Sequence, residues 1–292
     1  MKVLVTGGNG QLGHDVASVL QASGVQVIAP PLLELDFTAP ASIDAVIAKH
    51  RPDWVINCAA YTQVDKAESE ADVAFAVNRD APSQLARAVA GTGGRLLHVS
   101  TDFVFDGKAS APYTEASPAQ PLSVYGRSKL AGEQAVMQAL PSAIILRTAW
   151  LYGVNGHNFV KTMLRLALAG KPLRVVADQV GSPTWTMDLA KAIAVLLDTN
   201  ACGLFHYTNA GQTSWHGFAC AILAEAASAG FEIKTREVEP IPTSAYPTPA
   251  ERPAYSVLDT GRIESLPGIR IPPWRDSLKR MLEELHTCED CL

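Results

Sequence analysis

Scarcities bound this chain first. Its 292 residues include only five cysteines, an odd number, and Cys58, Cys202 and Cys220 lie in apolar surroundings. A structural disulfide framework is therefore not expected. No apolar run approaches the roughly 20 residues that cross a bilayer, which argues against a membrane partner. The first residues lack the charged, apolar and cleavage segments of a secretory leader, so the expected location is the cytoplasm. Basic residues are the minority, 24 Lys and Arg against 29 Asp and Glu, for a net charge of −5. There is no basic footprint for nucleic acid, and an anionic ligand must meet local cations rather than a global field. Internal repeats and low-complexity linkers are absent. The terminal Cys288-Glu289-Asp290-Cys291, with His286 nearby, lacks a second cysteine pair and is read as a frayed tail, not a metal site.

What is present begins at the amino terminus. Lys2 to Thr6 is a short β-rich run, followed at once by Gly7-Gly8-Asn9-Gly10-Gln11-Leu12-Gly13. Val16, Val19 and Leu20 then recur at helical spacing. Strand, glycine turn and helix in that order are the context a dinucleotide-binding loop requires. Gly7 permits the tight turn, Gly10 lets the backbone approach a pyrophosphate, and Gly13 lets helix pack on strand. The free N–H groups at the helix start favour phosphate. A second strand, Val25 to Ala29, runs into Pro30-Pro31 and then Glu34-Leu35-Asp36-Phe37. The prolines displace the acid that would bind a ribose hydroxyl, and no arginine stands there for a 2′-phosphate. NADH and NADPH both remain open.

The second informative segment is Ser100-Thr101-Asp102-Phe103-Val104-Phe105-Asp106-Gly107 with Tyr125-Gly126-Arg127-Ser128-Lys129 downstream. Leu96 to Val99 reads as a buried strand, so Thr101 stands at the strand end where an α/β sheet presents groups to ligand. Tyr125 and Lys129, four residues apart, share a helix face. There an ammonium is expected to lower the phenol pKa and make it a proton donor or acceptor near neutral pH. Thr101, Tyr125 and Lys129 can thus converge on one carbonyl or alcohol.

Strand and helix patterns alternate through residue 150. Helices are expected over 42–49, 73–90 (despite Pro82) and 122–140, with strands at 54–57, 96–100 and 143–147. This alternation predicts an α/β fold with a doubly wound parallel sheet of Rossmann type. After Arg147, turn-rich stretches interrupt helices at 158–168, 188–197 and 213–229. Residues 240–253, with Pro240, Pro242, Pro247, Pro249 and Pro253, are expected to be an extended loop. A last amphipathic helix spans 275–285. The division expected is a dinucleotide-binding domain over 1–150 and a smaller α/β substrate-binding lobe over 151–292. A segment near 170–198 is expected to return to the first domain.

These motifs together resemble the dTDP-4-dehydrorhamnose reductase family of the extended short-chain dehydrogenase/reductase superfamily. Further markers are Asn57-Cys58-Ala59-Ala60-Tyr61-Thr62, Arg147-Thr148-Ala149-Trp150-Leu151-Tyr152-Gly153, Asp178-Gln179-Val180-Gly181-Ser182-Pro183-Thr184 and Arg252-Pro253-Ala254-Tyr255. The resemblance spans nearly the whole chain. It implies reduction of the C4 ketone of dTDP-4-dehydro-L-rhamnose by NADH or NADPH. It places Gly10, Gln11 and Leu12 at the pyrophosphate, with Gly7 and Gly13 shaping that cofactor-binding turn, Asp36 and Phe37 at the adenine, and Ala60, Tyr61 and Thr62 along the cofactor. Thr101, Asp102 and Trp150 would contact the sugar, and Arg252 the diphosphate. Tyr125 would donate the proton, Lys129 would hold the cofactor ribose and tune Tyr125, and Thr101 would hydrogen-bond the carbonyl oxygen. Trp185 and Trp215 are expected to pack rather than bind.

Asp102 is followed by Phe103 rather than Glu, so a dehydratase's second acid is missing. A non-catalytic NADP-binding subunit resembling methionine adenosyltransferase β, or a reductase of another nucleotide 4-keto sugar, are the alternatives. Monomer and homodimer are both compatible with the sequence. The acidic surface that holds magnesium in some family members looks depleted at His14-Asp15 and Thr186-Met187-Asp188, so no metal is predicted.

Overall fold

In the computed structural model, which describes residues 1–288, the chain runs β1 (Lys2–Thr6), α1 (Gln11–Ala22), β2 (Gln26–Ile28), α2 (Pro40–His50) and β3 (Trp54–Asn57). Two short helices, α3 (Val64–Ala67) and α4 (Ala71–Phe75), lead through a π-helical turn at Ala76–Asp80 into α5 (Ala81–Thr92). Then come β4 (Arg95–Thr101), α6 (Val124–Ala139) and β5 (Ile144–Thr148). Beyond them lie β6 (Leu151–Tyr152), α7 (Phe159–Leu168), β7 (Leu173–Val176), β8 (Val180–Gly181), β9 (Thr184–Trp185) and α8 (Thr186–Leu197). The chain continues as β10 (Gly203–His206), β11 (Thr213–Ser214), α9 (Trp215–Ser228), β12 (Val238–Ile241), α10 (Gly261–Glu264) and α11 (Trp274–Thr287).

The central sheet has the order β10-β5-β4-β3-β1-β2 with every pairing parallel. After β1 the chain adds β2 on one side and β3 on the other. The crevice above the carboxyl ends of β1 and β3 is thus the switch point where such sheets bind ligand. Register aligns those ends: Thr6 pairs with Asn57, and Thr101 with Thr148. Alternating strand residues face opposite layers, so both faces are apolar. Val3, Val5, Ile56 and Leu97 pack with α1 and α8 on one side. Leu4, Val55, Leu96 and Ile145 pack with α2 and α5 on the other. A separate apolar cluster joins Leu164 of α7, Phe218 and Ile222 of α9 and Leu282 of α11.

The helix expected over 73–90 is broken by the π-helical turn, and Pro82 falls in the first turn of α5. A proline ring crowds the carbonyl four residues back and offers no N–H, and widening the preceding turn absorbs both defects. The stretch expected to be a loop begins as β12, which pairs parallel to β7 with Pro240 opposite Val175. This two-stranded pair tolerates proline because its missing N–H can face away from the partner. Cys58, Cys202 and Cys220 are free, but Cys288 is disulfide-bonded, which corrects the expectation at that position. The rest of the Cys288–Cys291 motif lies outside the described residues. Among the described residues no helix is long and apolar enough to cross a membrane.

Candidate active site

Two cavities meet above the sheet. The first, of about 600 Å³, runs over the ends of β1, β3 and β4 and along the glycine turn. Gly7 sits at φ +66°, where a side chain would be strained. A Cβ on Gly13 would lie 2.1 Å from the Gly7 carbonyl oxygen, so the turn closes only on glycine there. Gly10 caps α1 without any side-chain hydrogen bond, leaving the first N–H groups of the helix for an anion. Gly7, Gly10, Gln11, Leu12, Gly13, Ala60 and Thr62 all line this cleft. These features suit a dinucleotide pyrophosphate.

Three predicted cofactor residues lie elsewhere. Asp36 accepts hydrogen bonds from the Thr38 amide (2.8 Å) and hydroxyl (2.7 Å), which hold its carboxyl below the usual range. Phe37 is buried in the core with Leu35 and Ile43. The Tyr61 hydroxyl donates to Glu70 at 2.8 Å and its amide to Asn78 at 2.9 Å. None of the three is among the residues lining this cavity. Cys58 and Ala59 line it instead. Burial pushes the Cys58 thiol up to about 12, against the pull of Lys129.

At the centre of the cleft the structure gathers Thr101, Tyr125 and Lys129. Ser123 caps α6 by accepting from the Gly126 amide at 3.1 Å. A Cβ on Gly126 would fall 2.2 Å from the Phe103 carbonyl oxygen. That close approach lets α6 seat against the turn after β4 and carries Tyr125 to the end of the strand. The Tyr125 ring meets Phe103 edge-on at 5.4 Å. The Thr101 hydroxyl donates to Asp102 Oδ1 at 3.1 Å and accepts from the Phe103 amide at 3.2 Å.

The expected lowering of the phenol is not found. Burial, with Asp102 adding to it, pushes Tyr125 up to about 12, although the Thr101 hydroxyl pulls the other way. Lys129 is itself lowered to about 8 by burial, partly offset by Glu133 and Cys58. Its ammonium donates to the Val99 carbonyl at 2.7 Å. Desolvation therefore governs the phenol, with Thr101 rather than Lys129 pulling it down, and it stays neutral at pH 7. Glu133 is fixed by Arg147, bidentate at 2.8 and 2.6 Å, and by the Ser100 hydroxyl at 2.5 Å.

A second cavity of about 580 Å³ opens on the side of α7, α9 and β7. Asp102, Phe103 and Trp150 line both cavities and form their common wall. Asp102 is 2% exposed, and burial raises its carboxyl to about 6 while Ser256 and Thr101 hold it down. Its Oδ2 has no protein partner. Arg252 lines the second cavity, but its guanidinium is bidentate to Asp65 at 3.0 and 2.7 Å. That ion pair holds Asp65 below the usual carboxylate range.

Trp150 adopts φ +49° and stacks on Trp215 with centroids 3.6 Å apart and planes 7° from parallel. Trp215 packs as expected, against Trp150, Phe159 and Phe218, and also lines the second cavity, whereas Trp185 is buried. Sequence reasoning also missed Thr148, which lines the first cleft and whose buried hydroxyl has no protein partner, and Gln179 and Ser256 in the second. Thr148 had a signal, since it follows the β5 run as Thr101 follows the β4 run. Trp215 had none, because only the chain's return past Trp150 gives it a role.

A family model described as RmlD substrate binding domain matches residues 1–287. The chain is 43% identical over 296 residues to a dTDP-4-dehydrorhamnose reductase of Burkholderia thailandensis, covering 98% of this chain and 99% of that protein. A protein of Streptomyces antibioticus, named as a probable dTDP-4,6-dihydroxy-2-methyloxan-3-one 4-ketoreductase, is 41% identical over 291 residues, covering 99% and 97%. Among solved structures, dTDP-4-dehydrorhamnose reductase from Bacillus anthracis in complex with NADP superposes with a TM-score of 0.92. That pair shares 37% identity over 97% of this chain and 99% of the other.

Proposed function

Because the chain belongs to the RmlD substrate binding domain family, which its full-length likeness to dTDP-4-dehydrorhamnose reductases establishes, we propose that it reduces the C4 ketone of dTDP-4-dehydro-L-rhamnose to dTDP-L-rhamnose. The observation that carries this reading is the common wall. A cleft suited to a dinucleotide and a cavity large enough for a nucleotide sugar meet at Asp102, Phe103 and Trp150, with Thr101, Tyr125 and Lys129 lining the cleft side.

Bound NADH or NADPH supplies the hydride. Tyr125 holds the proton that the oxygen at C4 takes up. A phenol at about 12 is neutral at working pH, so it keeps a proton to give to the developing alkoxide. Thr101 offers a hydroxyl to the same oxygen and stabilises its charge. The Lys129 ammonium, which donates to the Val99 carbonyl in the same cleft, binds the cofactor ribose in this reading. Asp102 and Trp150 orient the sugar. Arg252, oriented by Asp65, offers a cation to the diphosphate. Residues 1–150, joined by α8 packed on α1 and by β10 at the edge of the central sheet, form the dinucleotide-binding unit, and most of the rest of 151–292 forms the substrate lobe.

The test is nicotinamide absorbance with NADH and NADPH in parallel, the ketone being generated from dTDP-glucose by the dehydratase and the 3,5-epimerase. Oxidation that needs both upstream enzymes and yields dTDP-rhamnose supports the proposal and ranks the cofactors. Oxidation without the epimerase favours reduction of another nucleotide 4-keto sugar, a reading the Streptomyces antibioticus relative keeps in view. Saturable cofactor binding with no oxidation overturns the reductase reading in favour of a regulatory subunit.

A further inference from the structure

We propose that Trp215 and Gly181 act together as a positioning device that fixes the Trp150 indole, and through it the sugar, at the junction of the two cavities. This rests on the reductase reading above.

Trp150 lies two residues past the end of β5, and its backbone is left-handed at φ +49° without the freedom of a glycine. A residue in that conformation persists when its surroundings over-determine it. Here three contacts do so. The Trp150 carbonyl accepts from the Thr184 amide at 3.2 Å. The Trp215 ring lies parallel to the indole at 3.6 Å. Gly181 approaches so closely that an added Cβ would fall 2.5 Å from Trp150 Cε2.

The last two contacts share one support. β8 and β11 pair antiparallel, with Gly181 opposite Thr213 and Val180 opposite Ser214. Trp215 follows β11 immediately as the first residue of α9, which Ser214 caps by accepting from the Gly217 amide at 3.0 Å. Phe159 of α7 braces the far part of the Trp215 ring at 4.7 Å. The small sheet thus delivers both Gly181 and Trp215 to one indole. Trp150 and Trp215 are only half-buried and stand at the edge of the apolar cluster of α7, α9 and α11, where the stack borders the second cavity. Trp150 also lines both cavities, while Trp215 lines the second alone.

A displaced indole would leave the ketone off the line between hydride and phenol, and misplacements of about 1 Å cost on the order of a hundredfold. The experiment measures kcat, KM for the keto sugar and cofactor Kd for Trp215→Ala, Trp150→Ala, their double variant and Gly181→Ala, beside the unmodified protein. Circular dichroism of the paired indole bands reports the stack. We expect Trp215→Ala and Gly181→Ala each to lower kcat/KM by roughly ten- to a hundredfold, with cofactor Kd unchanged. We also expect Trp215→Ala to abolish the paired bands, and to cost nothing further once Trp150 is alanine. Gly181→Ala tests the same idea without touching Trp215, should Trp215→Ala misfold. Additive losses in the double variant would mean that Trp215 meets substrate directly, and overturn the proposal. Normal kinetics in Gly181→Ala with a shifted band pair would overturn it too. Absence of turnover in the unmodified protein would instead defeat the reductase reading.

Discussion

Replacing Asp102 by asparagine should stabilise the protein at neutral pH. The carboxyl is 2% exposed, and burial raises it from 3.8 to about 6. At about 1.4 kcal/mol per pH decade, keeping it ionised in the fold costs about 3 kcal/mol. The sign follows from proton binding. Between pH 3.8 and about 6 the native carboxyl holds a proton that the unfolded chain has lost, so this group's contribution falls as pH rises. The full cost is present above pH 6 and absent below pH 4. Asparagine does not titrate, and its oxygen can still accept from Thr101. Asp65, Asp106 and Asp178, held low by their partners, push stability the other way. Those terms occur in both proteins and cancel in the difference. Urea unfolding from pH 4 to 8 should therefore show a variant advantage near zero at pH 4. It should grow to about 3 kcal/mol at most by pH 7, with equal m-values. A difference that stays flat, or that favours aspartate throughout, would refute the reasoning. Such a gain should come with impaired turnover, because the carboxylate stands in the wall between the two cavities.

Tyr125→Phe should keep cofactor affinity and lose about 10²- to 10⁴-fold in kcat, read by titration and steady-state kinetics. Cofactor affinity should weaken as pH rises through about 8, where Lys129 gives up its proton, and this limb should vanish in Lys129→Met. Gly13→Ala must displace the Gly7 carbonyl, 2.1 Å from the new Cβ. It should cost about 1–3 kcal/mol in unfolding experiments and weaken cofactor binding. Arg252→Ala should raise KM for the nucleotide sugar roughly tenfold with little change in kcat, since ionic contacts remote from the reacting carbon act mainly on binding.

Local chemistry already marks the doubly wound sheet and the positions at its strand ends. The glycine turn can be read because Gly13 is the only residue type its contact with Gly7 admits. The two buried faces of β1, β3 and β4 show as nearly unbroken apolar runs. Thr101 is legible as the residue that ends such a run, and Tyr125 with Lys129 as a pair four apart on a helix. Other features required the fold. The contacts of Asp36 with Thr38, of Phe37 with the core around Ile43, and of Tyr61 with Glu70 are visible only once the chain is folded. The tyrosine pKa went the opposite way from expectation because spacing reports the neighbouring ammonium and says nothing of desolvation. Arg252 reads as a free cation until Asp65, 187 residues away, is found against it. Periodicity and spacing act over a few residues, so sequence by itself determined the sheet, the phosphate-binding turn and the residues that end its strands. Burial and partnership arise between segments far apart in the chain. Only the tertiary structure could decide that Asp102, Phe103 and Trp150 form one wall between two cavities, and that Trp215 stands behind it.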